Sequence, residues 1–333
     1  MPNQIEIADL PPAQGTLAAR PESKSILRTL SENMGMLMVA ILLFIGSALF
    51  VPNFCSWMNF KGIASSVATV GIISCTMLFC LAAGDFDLSV GSVVALAGVL
   101  AAMVSNTTHS VALGVGSGIL AGLLVGVVNG VFIAGFGINA LITTLATMQI
   151  AKGMAYIASH GKAIGIQETA FYALGNSDFL SIPTPVWIML ACFLFYGLLL
   201  NKTTFGRNAL AIGGNNEAAR LAGIGVTRIK ITIFALQGAM AGFAGVILAA
   251  RMTSGQPKTA EGLELQVISA CVLGGVSLTG GVGTMSGAII GVLIMGTMDN
   301  VMGLLNIEQF YKYVVSGVVL LAAVMIDRFK QRR

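Results

Sequence analysis

From residue 34 onward, long apolar runs alternate with short polar stretches. A helix needs about 20 apolar residues to cross the hydrocarbon layer, within a range of about 17–25. Ten runs meet or approach that length: 34–51, 63–83, 88–105, 111–133, 138–159, 186–200, 229–250, 263–278, 285–304 and 311–326. The sixth, eighth and tenth are short, so the pattern predicts eight to ten spans. The fold class it implies is all-α, a polytopic membrane helix bundle. Three regions follow: a polar tail over 1–33, a membrane domain over 34–326 interrupted by a polar loop at 201–230, and a basic end at 327–333. Composition agrees, with 56% apolar and 10% charged residues against about 25% charged in soluble domains.

Charge then orients the bundle. With ten spans and the N-terminus inside, the inside segments hold Arg20, Lys24 and Arg28, then Lys202, Arg207, Arg220, Arg228 and Lys230, then Arg328, Lys330, Arg332 and Arg333. That is twelve of the 18 basic residues, and the positive-inside rule makes both termini and the 201–230 loop cytoplasmic. The opening residues, with Pro11, Pro12 and Pro21, read as a cytoplasmic tail and not as a secretory signal. "SILRTLSEN" (25–33) fits either a short amphipathic surface helix or an unstructured lead-in.

Glycine spacing predicts how the helices pack. Gly118, Gly122, Gly126 and Gly130 recur every four residues, as do Gly283, Gly287 and Gly291, which puts small residues on one helix face where backbones can approach. "AAGDFDLSVGSVVALAG" (82–98) and "LTGGVGTMSGAIIG" (278–291) share a glycine-rich break followed by a small-residue helix. Paired breaks of this kind suit the broken or re-entrant helices of a transporter core.

Catalytic and metal constellations are missing. There is no GxxxxGK[ST] phosphate loop, no HExxH and no GxSxG, and the only histidines, His109 and His160, stand far apart. The five cysteines form no CxxC pair and read as small core residues. No catalytic residue and no metal site is expected, and nothing points to nucleic acid as a partner.

The polar loop contains "NNEAARLAG". Asn215 or Asn216 can cap a helix of about two turns. Glu217 sits in its first turn and Arg220 near its end, both favourable to the helix dipole. Gly223 supplies a left-handed stop. Helices this short are marginal in water, so this one is expected to be docked against something.

Acids and amides inside the apolar runs are the other candidates, because such groups usually face a partner or a cavity. Asp87 either caps a helix beginning at Leu88, with Ser89 in its first turn, or lines a pathway, and the two are compatible. Asn139, Thr143 and Thr147 form a stripe at spacing four, with Gln149 and Lys152 farther on; Asp299 and Asn300 interrupt another run. Hydrogen bonding between helices explains each of them alone. As a set, polar but poor in charge, they suit a neutral polyhydroxylated solute.

Two motifs carry a family resemblance. Glu217, Ala218, Ala219, Gly223 and Ile233 match the EAA loop of ATP-binding-cassette importer permeases, though the leucine and proline that usually follow are replaced by Phe234 and Ala235. Asp87, Leu88, Ser89, Val90, Gly91 and Ser92 resemble the signature of the monosaccharide branch (ribose, galactose, arabinose), with Asp85 where that branch usually has glycine. "ACVLGGVSLTGGVGTMSGAIIG" is typical of the same branch, and the likeness extends over residues 35–330. The resemblance implies a multi-pass protein of a bacterial inner membrane carrying a neutral monosaccharide, L-arabinose foremost. Its coupling residues would be Glu217, Ala218, Ala219, Arg220 and Gly223. The implied partners are an ATPase subunit that uses ATP and Mg, a periplasmic sugar-binding protein and a second permease copy, with no cofactor in this chain. The alternative is a secondary sugar transporter driven by an ion gradient, in which Asp85, Asp87 and Asp299 would serve as ion or proton sites.

Overall fold

The computed structural model describes residues 26–331. Residues 1–25 and 332–333, which hold most of the expected tail and the end of the basic C-terminus, lie outside the described residues. Thirteen α-helices carry the fold: α1 (Ile26–Phe50), α2 (Trp57–Ala82), α3 (Val90–Thr108), α4 (Val111–Gly130), α5 (Ala140–Ser159), α6 (Thr169–Asn176), α7 (Thr184–Lys202), α8 (Thr204–Gly214), α9 (Asn216–Leu221), α10 (Val226–Met252), α11 (Leu263–Leu273), α12 (Met285–Leu304) and α13 (Gln309–Gln331). A π-helical turn, Val131–Gly135, extends α4.

Every expected span coincides with a helix. Among the described residues, six helices are long and apolar enough to cross a membrane: α2, α3, α4 with its π turn, α7, α10 and α12. Shorter apolar stretches lie in α1 (Gly35–Phe50), α11 and α13 (Phe310–Met325). Helix α5 is as long as α4 but carries Thr143, Thr144, Thr147, Gln149 and Lys152. Two expectations shift. The 25–33 stretch is not a separate element, because α1 runs unbroken from Ile26. The 263–278 span is helical only to Leu273, where Gly274 and Gly275 end it; Gly275 takes φ +83°, and the chain continues as a loop to Thr284.

Helix α2 is the centre of the bundle: from Val67 to Ala82 every residue except Val70 is buried. A helix apolar on all sides is one that neighbours surround. Against it lies an antiparallel group in which the glycine stripe does what its spacing predicts. A Cβ on Gly122 would collide with the Gly238 carbonyl of α10, and one on Gly126 with the Phe234 carbonyl. The α10 glycines reciprocate: Gly238 abuts Gly122 and Gly242 abuts Gly118. On the other face of α10, Gly245 abuts the backbone of Val94 in α3. In lipid, where tails are as apolar as leucine, such backbone contact supplies the van der Waals attraction that holds helices together. The second stripe packs likewise, with Gly287 against Gly274 and Gly291 against the Ala270 carbonyl of α11; Gly283 lies before the helix, where a Cβ would meet Val276 and Leu78 side chains and no backbone so closely.

Two small antiparallel strand pairs close the end of the bundle remote from α9. Strand β1 (Ile164–Gly165) pairs with β4 (Ser254–Gly255), Ile164 opposite Gly255. Strand β2 (Asp178–Phe179) pairs with β3 (Ile182–Pro183) through a turn at Leu180 and Ser181, both with positive φ. Of the cysteines, Cys75, Cys80 and Cys271 are buried as expected, whereas Cys55 is exposed in the α1–α2 connection.

Candidate functional site

The polar loop builds two helices in succession. Thr203 opens α8, its hydroxyl accepting from Gly206 N at 3.3 Å. Asn215 then caps α9, its Oδ1 accepting from Ala218 N at 2.9 Å. Glu217 lies in the first turn and Arg220 in the last. Gly223 N bonds to Arg220 O and Ile224 N to Ala219 O, with Gly223 at φ +82°. A residue there must be left-handed, and the space around Gly223 is open, so backbone conformation alone calls for glycine.

Only Ala219 of α9 is buried. Glu217, Ala218, Arg220, Leu221 and Gly223 are exposed, and Leu221 is 80% exposed. A six-residue helix has little stability of its own, and its own chain grips it through one alanine. The docking expected for it is therefore mostly unmet within this chain. Leu221 joins the coupling candidates here; an apolar residue after an acidic-to-basic capped turn is its signal in the sequence.

The start of α9 stands where three glycine segments meet. Gly213, at the end of α8, abuts the Ala82 carbonyl at the end of α2; any Cβ would collide. That carbonyl accepts from Gly281 N at 2.9 Å. Gly280 and Gly281 in turn lie against Gly213 and Gly214. The polar loop and both glycine-rich breaks thus share one backbone junction, which spacing in the sequence does not reveal.

Beyond that junction the chain runs without regular structure over residues 85–89 and then enters α3. Asp85 pairs with Lys230 in the second turn of α10 at 2.8 Å, their side chains 12% and 13% exposed. Charges so far from water persist when paired; the pair gives Asp85 the role the sequence left open. Asp87 corrects an expectation: α3 begins at Val90, and Asp87 does not cap a helix starting at Leu88. Its Oδ1 accepts from Ser89 N at 2.9 Å and Ser89 Oγ at 2.6 Å. Ser89 Oγ accepts in turn from Asn129 Nδ2 of α4 at 3.1 Å. All three side chains are buried, so a polar chain fixes the start of α3 against the end of α4.

The first turn of α3 opens on a polar cavity of about 170 Å³. Gly91, Ser92 and Ala95 form one wall, Met148, Gln149 and Lys152 of α5 another, and residues 257–264 the third. Lys152 bridges to Glu261 across it at 2.9 Å. Gln149 and Glu261 are exposed, so the cavity is open at the surface of this chain; a helix that begins beside a cavity is the geometry transporter cores use for substrate.

The α5 stripe serves its own helix. Asn139 caps it, Oδ1 accepting from Leu141 N at 2.9 Å. Thr143 donates to Asn139 O at 3.1 Å and Thr147 to Thr144 O at 3.2 Å. Gln149 and Lys152, farther along, are the polar α5 residues that reach the cavity, beside Met148. Asn300 donates to Asn59 Oδ1 of α2 at 2.8 Å. Asp299 lies 3.6 Å from Lys312 of α13.

A multi-pass helix bundle whose broken helix α3 begins beside a cavity, with a capped helix offered at one end, has the architecture of a solute permease. The chain belongs to the family described as branched-chain amino acid transport system / permease component, whose model matches residues 59–324. It is 57% identical over 312 residues to the L-arabinose transport system permease protein AraH of Escherichia coli K12, covering 94% of this chain and 95% of that protein. To the L-arabinose ABC transporter permease protein AraH of Azospirillum brasilense it is 50% identical over 304 residues, 91% of this chain and 90% of that one. The ribose import permease protein RbsC of Bacillus subtilis 168 matches at 40% over 309 residues, 92% and 94% of the two chains. No solved structure matches. The chain is a multi-pass transport subunit. The gradient-driven alternative finds no support: two of the three acids it would use, Asp85 and Asp299, already face lysines.

Proposed function

We propose that this chain is the membrane-spanning subunit of an ATP-binding-cassette importer that carries L-arabinose, a neutral monosaccharide, across the inner membrane of a bacterium. The AraH relatives, at higher identity than the ribose permease, support the sugar. Energy comes from a separate ATPase subunit using ATP and Mg. A periplasmic binding protein delivers the sugar, and a second copy of the chain completes the pathway. The basic residues of the 201–230 loop and both terminal segments set that end in the cytoplasm.

The observation that carries this reading is the exposure of α9 together with its position on the shared glycine junction. A helix that its own chain leaves uncovered, yet which follows directly on the end of α8, where Gly213 and Gly214 bear on the end of α2 and the loop before α12, suits a part gripped from outside. ATP-driven closure of the ATPase would displace α9. The contact of Gly213 with Ala82 and the Asp85–Lys230 pair would pass that displacement to residues 85–89 and to the first turn of α3. Because α3 walls the polar cavity, the cavity would change its access. Asp87 and Ser89 then act as positioning residues for α3. Gln149 and Lys152 join the pathway candidates, while Asn139, Thr143, Thr147, Asp299 and Asn300 hold the helices around it.

The test is L-arabinose uptake in a bacterium that lacks its own L-arabinose permease but keeps the ATPase and binding protein. Expression of this chain should restore uptake, which should stop on ATP depletion and persist when the proton gradient is dissipated. Leu221→Asp and Glu217→Lys should abolish it with the protein at normal levels in the membrane. Uptake that survives ATP depletion and follows an ion gradient would overturn the reading.

A further inference from the structure

A second cavity lies on the other side of residues 257–264, and Ala260 touches both. It measures about 260 Å³ and is lined by Ser66 and Thr69 of α2, Arg251 of α10, Gln266 of α11 and Asp299 of α12, with apolar side chains between them. Arg251 is the notable member. Its Nη1 donates to Ser65 O at 2.8 Å and Thr69 Oγ1 at 3.4 Å, and among the described residues no carboxylate pairs with it. A guanidinium carries five N–H donors, and of its nitrogens only Nη1 bonds to the described residues. The Gln266 side chain likewise bonds to none of the described residues. Arg251 is half-buried, and a cation within a membrane bundle that faces no carboxylate marks a substrate pathway or pairs with a ligand.

We propose that this cavity is a second saccharide subsite, within the helix bundle of one chain and separate from the cavity at the start of α3. Its donors and acceptors define the ligand class. Arg251 only donates; Asp299, which also faces Lys312, only accepts; Gln266 and the two hydroxyls do both. A neutral polyol, whose adjacent hydroxyls donate and accept, satisfies that set. An anion would meet Arg251 but would sit in the same cavity as the Asp299 carboxylate, a like charge. Apolar walls suit the C–H faces of a sugar ring. Cavities that hold drug-sized ligands run to about 300–1,000 Å³, so this one has the size for a single monosaccharide. The choice of L-arabinose as the probe rests on the proposed function; the subsite itself rests on the cavity.

Ser66 is exposed at the cavity, which makes the proposal testable by protection. In the full-length permease carrying Ser66→Cys, maleimide labelling of the introduced thiol is followed by mass spectrometry of that peptide. L-Arabinose at ten times its dissociation constant should slow the labelling by about tenfold, by mass action. Arg251→Gln should remove the protection, and Gln266→Leu, which gives up no hydrogen bond of the folded protein, should remove it too. Should Arg251→Gln fail to accumulate, the Gln266 variant decides. Protection that persists in Gln266→Leu, protection by sulfate in place of sugar, or no protection by L-arabinose or D-ribose would each overturn the subsite. Uptake by the wild type is measured alongside. Normal L-arabinose uptake without protection removes the subsite and leaves the importer standing, whereas protection by D-ribose alone keeps the subsite and overturns L-arabinose as the cargo.

Discussion

Helices α4 and α9 obey opposite rules. Helix α4 is held through its backbone: Gly118, Gly122, Gly126 and Gly130 press against α10 and α3, leaving no space for a side chain. Helix α9 buries Ala219 alone and shows Glu217, Arg220 and Leu221 to the surroundings. Helix α10 joins the two regimes. It starts beside α9, binds Asp85 through Lys230 in its second turn, and then runs along the α4 stripe. A part packed in that way moves as a body, and a part left uncovered can be seized. The contrast teaches where force enters such a protein and which contacts carry it inward.

The sharpest way to break the contrast is to put the same side chain in both regions. Gly122→Val inserts a methyl pair into the α10 backbone, so its cost should exceed the about 1–3 kcal/mol of ordinary overpacking, seen as loss of folded protein after detergent extraction. Gly223→Val meets open space and pays only for the left-handed backbone, about 1–2 kcal/mol. That cost falls on α9, so uptake should drop while the thermal unfolding of the bundle stays unchanged.

Next in size is the link between the regions. Lys230→Ala leaves Asp85 buried without its partner, which costs about 3–5 kcal/mol. The thermal midpoint should fall clearly, and the double variant Asp85→Asn with Lys230→Met should recover most of it. Unequal recovery of stability and uptake in the double variant would show that the pair transmits as well as supports. Asn215→Ala removes the cap of α9, worth about 1 kcal/mol; uptake should fall partway with no change in bundle stability. The smallest effect is expected from Glu261→Gln. Its bridge to Lys152 joins side chains 52% and 40% exposed, and exposed pairs contribute about 0–1 kcal/mol.

The sequence made the spans, the glycine stripes and the α9 cap readable because each is local: apolar length, spacing of four, and an asparagine before an acidic turn. The start of α3 was misplaced by two residues because an aspartate that bonds two residues ahead leaves the same local signature as a helix cap. The short end of α11 was missed because apolar residues continue past Gly274 and Gly275, and hydropathy does not register a left-handed stop. The rest was not legible because it is not local. Gly213, Ala82 and Gly281 meet across three distant segments, Asp85 finds Lys230 from far along the chain, and Asn129 reaches Ser89 from another helix. Thr143 and Thr147 suggested a pathway by periodicity, yet their hydroxyls bond back to their own helix, as threonines in apolar helices commonly do.

The central claim is that α9 is the part gripped by a partner ATPase, and cross-linking in native membranes tests it most directly. A thiol introduced by Leu221→Cys is compared with one introduced by Phe179→Cys, which is 62% exposed at the opposite end of the bundle. The account predicts that the thiol at 221 cross-links to a protein carrying a nucleotide-binding ATPase sequence, identified by mass spectrometry, and that the thiol at 179 does not. Absence of any such product at 221, in membranes where the variant still imports L-arabinose, would contradict it.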